Sequence, residues 1–260
     1  MFIEERHHAI QQLIKEKGRI EVQELSDLFH VSDDSIRRDL RIMERKGILE
    51  RTYGGAVLPK KASYSPSYSE RLKSNKKGKE GIATLAASFI QDGDTIFLDG
   101  STTVAELIPY LNKYTNLTVI THSVMIAYEI VNSETNLNLI MIGGIVHQKA
   151  ANSFGIDTVK AIERLKVDKV FVAPCAISAE WGLSTSSIEE APIKKAIIEA
   201  GREVYLLAES EKFGKRSLVS FASLETDQTI ITDSGILPEV YPEFSELIKS
   251  GLKILWEESR

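Results

Sequence analysis

The chain has 260 residues, of which 43% are hydrophobic and 27% charged, a composition typical of a globular protein with enough apolar material for a core. No apolar run reaches the roughly 18–20 residues that a membrane helix needs, and the first residues lack the apolar stretch of a signal peptide. The single cysteine, Cys175, excludes an internal disulfide and a cysteine-rich zinc site, so we expect a cytoplasmic protein without a metal or cofactor.

The net charge of −5 is distributed unevenly along the chain. Residues 1–79 carry 17 Lys and Arg against 12 Asp and Glu, whereas residues 80–260 carry 15 against 25. The N-terminal segment is therefore basic and the remainder is acidic. An anionic partner is expected to bind the basic segment, because the acidic body would repel it.

The N-terminal segment predicts three helices and a short extended piece. Apolar spacing places an amphipathic helix at residues 5–17, an extended piece at 19–22 and a second helix at 22–29. Residues 30–32 form a tight turn that leads into a third helix. Two helices joined by a turn of about three or four residues indicate a helix-turn-helix.

The third helix has one apolar face and one face of arginine and serine. Ser32 is a good N-cap, and the apolar residues Ile36, Leu40 and Met43 recur with helical spacing, so that face packs on a core. The opposite face carries Ser35, Arg37, Arg38, Arg41 and Arg45. A guanidinium group bonds both oxygens of a phosphate, or O6 and N7 of guanine, so this face indicates DNA contact. A solvated arginine face is the alternative.

A hairpin follows the arginine helix. Gly47 is the predicted end of the helix, and residues 49–53 and 56–58 flank a Gly54-Gly55 turn. A hairpin in this position is a wing, from which Arg51 is expected to contact the DNA backbone or minor groove. The order of helix, turn, arginine helix and hairpin favours DNA binding over a merely solvated face.

Residues 6–55 resemble the DeoR-type winged helix-turn-helix of bacterial transcription repressors. The match consists of Ser32, Ile36, Arg37, Arg38, Asp39, Leu40, Gly47, Leu49, Arg51, Gly54, Gly55 and Ala56. Two positions depart mildly from the family pattern, Ser35 in place of threonine and Met43 in place of leucine. The resemblance implies that Ser35, Arg37 and Arg38 face DNA. Asp39 is expected to orient an arginine, because a carboxylate is repelled by phosphate.

Residues 59–79 are polar and rich in lysine, which predicts a linker. Beyond it, short apolar strands predicted at 95–98, 117–120, 137–142, 169–172, 204–207, 229–231 and 252–255 alternate with helices at 80–90, 102–111, 124–131, 158–165 and 188–200. This alternation predicts a mostly parallel sheet covered on both faces, whose ligands bind at the carboxyl ends of the strands.

One polar loop directly follows the first strand of this body and opens a helix. It consists of Asp99, Gly100, Ser101, Thr102 and Thr103. Glycine admits an anion to the backbone and the hydroxyls add donors, so the loop is a candidate phosphate cradle, although an ordinary helix N-cap has the same residue types. Thr121-His122-Ser123 and Gly143-Gly144 end the next two strands and are expected to lie beside this loop.

Residues 80–235 resemble the sensor domain of DeoR-type repressors, which is similar in fold to ribose-5-phosphate isomerase and glucosamine-6-phosphate deaminase. The resemblance rests on the loop at 99–103, Thr121-His122-Ser123, Gly143-Gly144, Glu189-Glu190-Ala191 with Lys194, Glu209-Ser210 with Lys212-Phe213-Gly214, and Ile231-Thr232-Asp233. It implies a pocket for a phosphorylated sugar. The hydroxyl loop would hold phosphate, Lys194 or Lys212 would supply a cation, and Asp99 and Glu190 would accept sugar hydroxyls.

Several pocket positions depart from the family pattern. Gly100 and Ser101 are exchanged in order, His122 replaces asparagine and Glu209 replaces aspartate. Residues 173–176 (Ala-Pro-Cys-Ala) replace a stretch that usually contains glycines, which predicts a bulkier wall. His122 is either a polar neighbour of the pocket or a satisfied loop histidine, and Cys175 is expected to be a buried small residue rather than a redox sensor.

The sequence thus predicts an α/β protein with a winged helix-turn-helix domain at 1–58, a linker at 59–79 and a sensing and oligomerisation domain at 80–260. We expect a DNA-binding regulator, a repressor of a carbohydrate-utilisation operon, that binds double-stranded operator DNA as a dimer or tetramer and responds to a phosphorylated sugar. The alternative is a sugar-phosphate isomerase or deaminase with a DNA-binding arm. No paired acid and base supports that alternative, although Asp99, Glu180 and Glu190 are candidate bases.

Overall fold

Two units of different architecture follow each other along the chain, Met1–Ala62 and Ser63–Arg260. The computed structural model describes residues 3–45, 48–57, 67–133, 135–235 and 241–256. Gly47, the predicted end of the third helix, lies outside the described residues. Residues 58–66 also lie outside them, and 59–66 belong to the predicted linker.

Within its described residues, the first unit contains three helices and a three-stranded antiparallel sheet. The helices are α1 (Ile3–Lys17), α2 (Val22–Phe29) and α3 (Asp33–Arg45), and the strands are β1 (Arg19–Glu21), β2 (Glu50–Thr52) and β3 (Gly55–Val57), in the order β1-β3-β2. The predicted apolar face of α3 is buried, since Ile36, Leu40 and Met43 are at most 1% exposed. They pack with Ile10 of α1 and Leu25 of α2 in one core.

Glycine is required at each of the two wing positions, Gly54 and Gly55, for a different structural reason. Gly54 has a φ of +90°, a backbone conformation that suits glycine at the tip of the hairpin. Gly55 begins β3, and a Cβ at this position would lie 2.0 Å from the carbonyl oxygen of Ile20 in β1. The close approach of β3 to β1 therefore requires glycine at this second position.

The second unit is built on a seven-stranded parallel sheet in the order β15-β14-β12-β9-β4-β5-β6. Its strands are β4 (Thr95–Leu98), β5 (Thr118–Thr121), β6 (Asn138–Met141), β9 (Val167–Val172), β12 (Gly201–Leu207), β14 (Thr229–Thr232) and β15 (Lys253–Trp256). Alternate residues of the central strands enter two separate cores. Val170 and Val172 face one core, whereas Phe171 faces the other.

Helices cover both faces of this sheet. One core takes residues from α8 (Ile156–Glu163), α9 (Glu190–Ala200) and α10 (Tyr241–Lys249). The other takes residues from α5 (Lys76–Ala87), α6 (Thr102–Ala105), a 3-10 helix (Ile108–Lys113) and α7 (Val124–Val131). The predicted doubly covered parallel sheet is confirmed.

Short elements that the sequence analysis did not predict complete this unit. They are the hairpin β7 (Ile145–His147) and β8 (Asn152–Phe154), the antiparallel sheet formed by β10 (Ala176–Ser178), β11 (Gly182–Thr185) and β13 (Val219–Ala222), and helix α10. The strands have three or four residues each, so they contain too little alternation to be recognised as strands.

Two sequence predictions differ from the structure. Residues 68–79, assigned to the linker, form helix α4 (Tyr68–Lys73) and the start of α5. Lys79 is only 1% exposed, because its ammonium donates to the carbonyl oxygens of Arg71 and Ser74 at the end of α4. The predicted helix at 102–111 is instead the four-residue α6 followed by the 3-10 helix, since Pro109 has no N–H to continue an α-helix.

Candidate functional site

The solvent face of α3 presents the predicted DNA-contacting side chains. Arg37 and Arg38 are exposed. Ser32 precedes the helix, its Oγ accepts the amide of Ser35 at 3.3 Å, and the two hydroxyl oxygens are 3.0 Å apart. Both serines therefore fix the start of the helix at the end that presents the arginines.

Acidic residues of the first turn lie near one of these arginines. Arg37 is 3.9 Å from a carboxylate oxygen of Asp33 and 3.8 Å from one of Asp34. Such exposed pairs contribute little to stability, so a phosphate can replace the carboxylates at small cost. Arg41 is half-buried, and its Nε is buried without a hydrogen-bond partner among the described residues.

Asp39 acts within the protein, as the sequence analysis expected. It is 2% exposed, and its carboxylate accepts from Nε of Arg6 at 2.6 Å and lies 3.1 Å from Nε2 of His7. Asp39 therefore fastens α3 to α1. The sequence analysis did not identify Arg6 and His7 as its partners, because they lie more than 30 positions away in the chain.

The predicted wing residue Arg51 is held by α3. Its backbone amide and its Nε each donate to the Glu44 carboxylate at 3.0 Å. The pair fixes the wing beside the arginine helix, and the Arg51 side chain keeps 38% of its surface exposed. Glu44 is a positioning residue that the sequence analysis missed.

In the second unit, polar residues from separate elements gather where the central strands end. Asp99 follows β4, Ala173 follows β9 and His122 follows β5, while Lys194 comes from α9. The Lys194 ammonium donates to Asp99 Oδ2 at 2.5 Å and to the carbonyl oxygen of Ala173 at 2.8 Å. The amide of Ala173 also donates to Asp99 Oδ2, at 3.0 Å. We call Asp99, Ala173, His122 and Lys194 the strand-end cluster.

The ionic pair in this cluster is deeply buried, with side chains at most 2% exposed. Burial raises the pKa of Asp99, but the Lys194 ammonium outweighs burial and holds that pKa well below its usual range. Burial lowers the pKa of Lys194, whereas Asp99 and then Glu190 raise it, and the result is about 12. Both groups are therefore charged at neutral pH.

His122 is hydrogen-bonded within the protein, as one of the two sequence alternatives expected. Its ring is fully buried, with Nδ1 3.1 Å from the carbonyl oxygen of Ser153. Nε2 accepts the amide of Gly100 at 3.3 Å and lies 3.4 Å from Oδ1 of Asp99. His122 is thus a satisfied loop histidine whose ring contacts Asp99 within the strand-end cluster.

The predicted phosphate loop is largely occupied with internal contacts. Ser101 Oγ caps α6 by accepting the amide of Val104 at 3.0 Å, and the side chains of Thr102 and Thr103 are buried. A Cβ at Gly100 would lie 2.1 Å from the side chain of Asn152, whose Nδ2 donates to the carbonyl oxygen of Gly100 at 3.0 Å. The sequence analysis did not identify Asn152, since nothing in its surroundings marks it.

The Gly143-Gly144 step ends β6 and leads into the β7 hairpin. Gly143 and Gly144 are exposed, and Thr158 Oγ1 lies within hydrogen-bonding distance of the carbonyl oxygens of Gly143 and Phe154. A Cβ at Gly144 would lie 2.0 Å from Thr158 Oγ1. This glycine therefore allows the turn to contact the start of α8.

Of the remaining predicted effector residues, Glu190 borders the cluster, and Lys212 ends a short 3-10 helix that follows β12. One Glu190 oxygen accepts from the hydroxyl of Thr185, and the other lies 3.6 Å from the Lys194 ammonium. Lys212 pairs with Glu211 at 2.8 Å and keeps part of its side chain exposed. Burial lowers the pKa of Lys212, but Glu211 raises it further, so its pKa lies above the usual value.

Cys175 is exposed, contrary to the expectation that it is buried. It follows β9, and its amide donates to the carbonyl oxygen of Ser184 at 2.9 Å. Its thiol lies 3.7 Å from the hydroxyl of Thr185. Cys175 therefore lies at the surface beside the residues that surround Lys194.

In the described part of the chain, no group of three or more His, Cys, Asp or Glu side chains is placed to hold a metal ion, and no helix is long and apolar enough to cross a membrane. A surface cavity of about 610 Å³ contains none of the predicted effector residues; it is lined by Lys77, Glu80, Gly81, Thr84, Glu106, Pro109 and Tyr110.

A winged helix-turn-helix with exposed arginines, followed by a parallel α/β unit with polar residues at its strand ends, defines a two-domain DNA-binding transcription regulator. The family models agree: a DeoR-like helix-turn-helix domain matches residues 6–62, and a DeoR C-terminal sensor domain matches residues 74–234. The chain belongs to the DeoR family of HTH-type transcriptional regulators, which confirms the resemblance seen in the sequence.

Full-length relatives support this assignment. The chain is 36% identical to the uncharacterized HTH-type transcriptional regulator YulB of Bacillus subtilis over 92% of each chain. It is 33% identical to the HTH-type transcriptional repressor GlcR of the same species, over 98% of this chain and 96% of the relative. Among solved structures, ribose 5-phosphate isomerase A from Methanocaldococcus jannaschii aligns with a TM-score of 0.39 and 18% identity, over 54% of this chain and 55% of the other.

Proposed function

We propose that this regulator is a cytoplasmic repressor of a carbohydrate-utilisation operon, that it binds its operator as a homo-oligomer, and that a phosphorylated sugar modulates this binding. The observation that carries the DNA-binding half is the exposed pair Arg37 and Arg38 on a helix whose opposite face is buried. Two relatives bear the name of repressor, GlcR and the putative aga operon transcriptional repressor of Escherichia coli O157:H7, which is 28% identical over 96% of this chain.

On this proposal α3 lies in the major groove. Arg37 and Arg38 contact bases or phosphates from its exposed face, and Ser32 and Ser35 approach the backbone at its start. Arg41 and Arg51 flank this surface, the first from the next turn of the helix and the second from the wing. Because winged helix-turn-helix proteins usually bind symmetric sites, a dimer or larger homo-oligomer is expected.

A DNA selection with the full chain tests this half. Duplexes enriched from a random pool serve as the probe, and fluorescence anisotropy gives the affinity at several salt concentrations. Arg38→Ala should weaken binding by about 1–3 kcal/mol if the side chain contacts a base, or lower the salt slope by about one if it contacts phosphate. Arg202→Ala, an exposed arginine of the second unit, is the matched control. Equal affinity and slope in both variants contradict the proposed docking.

The effector half is supported by the gathering of Asp99, His122, Glu190 and Lys194 at the carboxyl ends of the central strands, where parallel sheets bind ligands. Lys212 adds a partly exposed cation from the segment that follows β12. The hydroxyl loop, residues 100–103, and the exposed Gly143-Gly144 step complete the proposed pocket. On this proposal the buried ion pair holds the floor of the pocket, and Lys212 contacts the phosphate.

Thermal denaturation against a panel of sugar phosphates and their unphosphorylated parents tests the effector half. A ligand that binds only the native state raises the melting temperature by mass action. One phosphosugar should raise it while its parent does not, and Lys212→Met should remove that shift. The exposed Lys195→Met serves as the control. A panel without any shift contradicts the effector proposal and leaves the DNA-binding half intact.

Catalysis is not part of the proposed function. Asp99 is a poor general base, because its pKa lies well below the range in which a carboxylate accepts a proton at neutral pH. Glu190 is engaged by Thr185 and Lys194, and Glu180 by Arg216. Turnover of any sugar phosphate in the same panel would contradict this part of the proposal.

A further inference from the structure

One edge of the seven-stranded sheet is apolar and unpaired. Strand β6 pairs only with β5 in the part of the chain that the structure describes, and it contains no charged residue. Ile140 and Met141 are 46% and 43% exposed. Edge strands of monomeric proteins usually carry lysine, proline or a bulge that prevents pairing with another chain. The opposite edge strand, β15, does begin with an exposed lysine, Lys253.

Helix α7, which packs beside β6, is apolar on its outer side as well. Seven of its eight residues are apolar, and Glu129 is the exception. Its inner face enters the core, yet Tyr128 and Val131 are 63% and 74% exposed. A helix with so few polar residues is normally covered on most of its surface.

Strand β7 extends the same surface. It follows β6 after the Gly143-Gly144 step, and Ile145 and Val146 are 70% and 51% exposed. Its partner strand β8 contacts α7, so the hairpin and the helix are neighbours. We call the six exposed residues the β6-edge patch; they are Tyr128, Val131, Ile140, Met141, Ile145 and Val146.

The distribution of charge favours a second copy of this chain as the partner that covers this patch. Residues 80–260 carry 25 acidic against 15 basic side chains, so two such bodies repel each other over most of their surface. None of the six residues of the patch is charged. A two-fold contact places a patch against its own copy, so a charged patch would bring like charges together, whereas an uncharged patch does not. A two-fold axis at the β6 edge also brings two copies of that strand together antiparallel, which pairs their free backbone groups.

We propose that the β6-edge patch is the surface through which two copies of this chain associate, with β6 of each copy pairing antiparallel to β6 of the other. This inference rests on the proposed function, because it supplies the dimer that a symmetric operator requires. It also assigns the dimer contact to the α/β unit, whereas the proposed DNA contacts belong to the winged unit.

Sedimentation analysis of the full chain at micromolar concentration, without DNA, tests the surface. The variants are Val131→Lys and Ile140→Lys. Both positions are exposed, and a lysine suits the last turn of α7 and an unpaired edge strand, so neither change disturbs folding. Leu218→Lys makes the same change at a 52% exposed residue outside the patch. Wild type and Leu218→Lys should be dimers or multiples of dimers, and each patch variant should dissociate at least about tenfold more readily.

The outcomes separate the surface from the function. A wild-type dimer that persists in both patch variants overturns the surface and leaves the operator proposal standing. If the wild type is a monomer, both proposals are contradicted: the dimer contact through the β6-edge patch and the binding of a symmetric operator by a homo-oligomer. Amide hydrogen exchange gives an independent check, because the amides of Leu139 and Met141 face away from β5. They should be protected in the wild type and exchange freely in Val131→Lys, which leaves β6 itself unchanged.

Discussion

Replacing Lys194 by methionine tests whether the buried ion pair organises the strand-end cluster. The variant keeps most of the side-chain volume but removes the ammonium that bonds Asp99 and Ala173. Asp99 then remains fully buried with the Ala173 amide and His122 as its contacts. An uncompensated buried charge costs about 3–5 kcal/mol, so we expect a loss of this size in the free energy of unfolding at pH 8.

The dependence of this loss on pH follows from the sign of each pKa shift. In the wild type the pKa of Asp99 is lowered, so its contribution is present above about pH 4 and disappears as the pH falls through the folded value. The pKa of Lys194 is raised, so its contribution is complete below about pH 10 and disappears as the pH rises through about 12. Neither contribution changes between about pH 5 and pH 8.

In Lys194→Met the burial of Asp99 is no longer opposed by a lysine, so the pKa of its carboxyl rises. The folded variant then binds a proton more readily than the unfolded chain does, and its stability increases as the pH falls. The difference in the free energy of unfolding between the variant and the wild type should therefore shrink as the pH falls from 8 to 5. It should shrink by about 1.4 kcal/mol for each pH unit by which the pKa of Asp99 in the variant exceeds 5.

Urea denaturation followed by tryptophan fluorescence measures this difference in the relevant unit, since Trp181 and Trp256 both lie in the unit Ser63–Arg260. The matched control is Lys195→Met, on the same helix, whose exposed ammonium is 3.8 Å from Glu199; it should cost less than about 0.5 kcal/mol. A loss below about 1 kcal/mol in Lys194→Met, or a loss that does not change with pH, would refute the reasoning.

Three further predictions concern close contacts. Gly55→Ala should destabilise the winged unit by about 1–3 kcal/mol and speed amide exchange in α1 and α3, because its Cβ would meet the carbonyl oxygen of Ile20. Asp39→Asn should cost about 3 kcal/mol in the same exchange assay, since the buried Arg6 loses its carboxylate; an unchanged exchange rate would contradict that role. Gly100→Ala should lower the melting temperature, and adding Asn152→Ala should recover part of the loss by making room for the new methyl group.

The winged unit was predictable because its signals are local. Ile36, Leu40 and Met43 lie within two helical turns, and the Gly54-Gly55 pair marks the hairpin directly. The partners that hold this unit together were not predicted, since the Arg6–Asp39 bond spans 33 positions. Periodicity therefore identifies which face is buried, but not which polar group fastens it.

The second unit shows the same limit more strongly. Its parallel strands are apolar runs that are readily predicted from the sequence. The strands of the β10-β11-β13 sheet are too short to show an alternating pattern, and β13 lies more than 30 positions after its partner β11. Asp99 and Lys194 are 95 positions apart, and only the family resemblance placed them together. Nothing in the sequence indicated that the peptide groups of Ala173 bond both members of the ion pair.

The distribution of charge predicts that DNA binding and dimer formation respond differently to salt. DNA binding uses the basic N-terminal segment and releases counterions, so it weakens steeply as salt rises. Association through the uncharged β6-edge patch brings two acidic bodies together, and salt screens their repulsion, so the dimer should hold or tighten over the same range. Opposite salt responses of the two equilibria follow only if α3 contacts the DNA and the contact between copies lies on the uncharged edge of the sheet. A dimer that dissociated with rising salt would place charged residues at that contact.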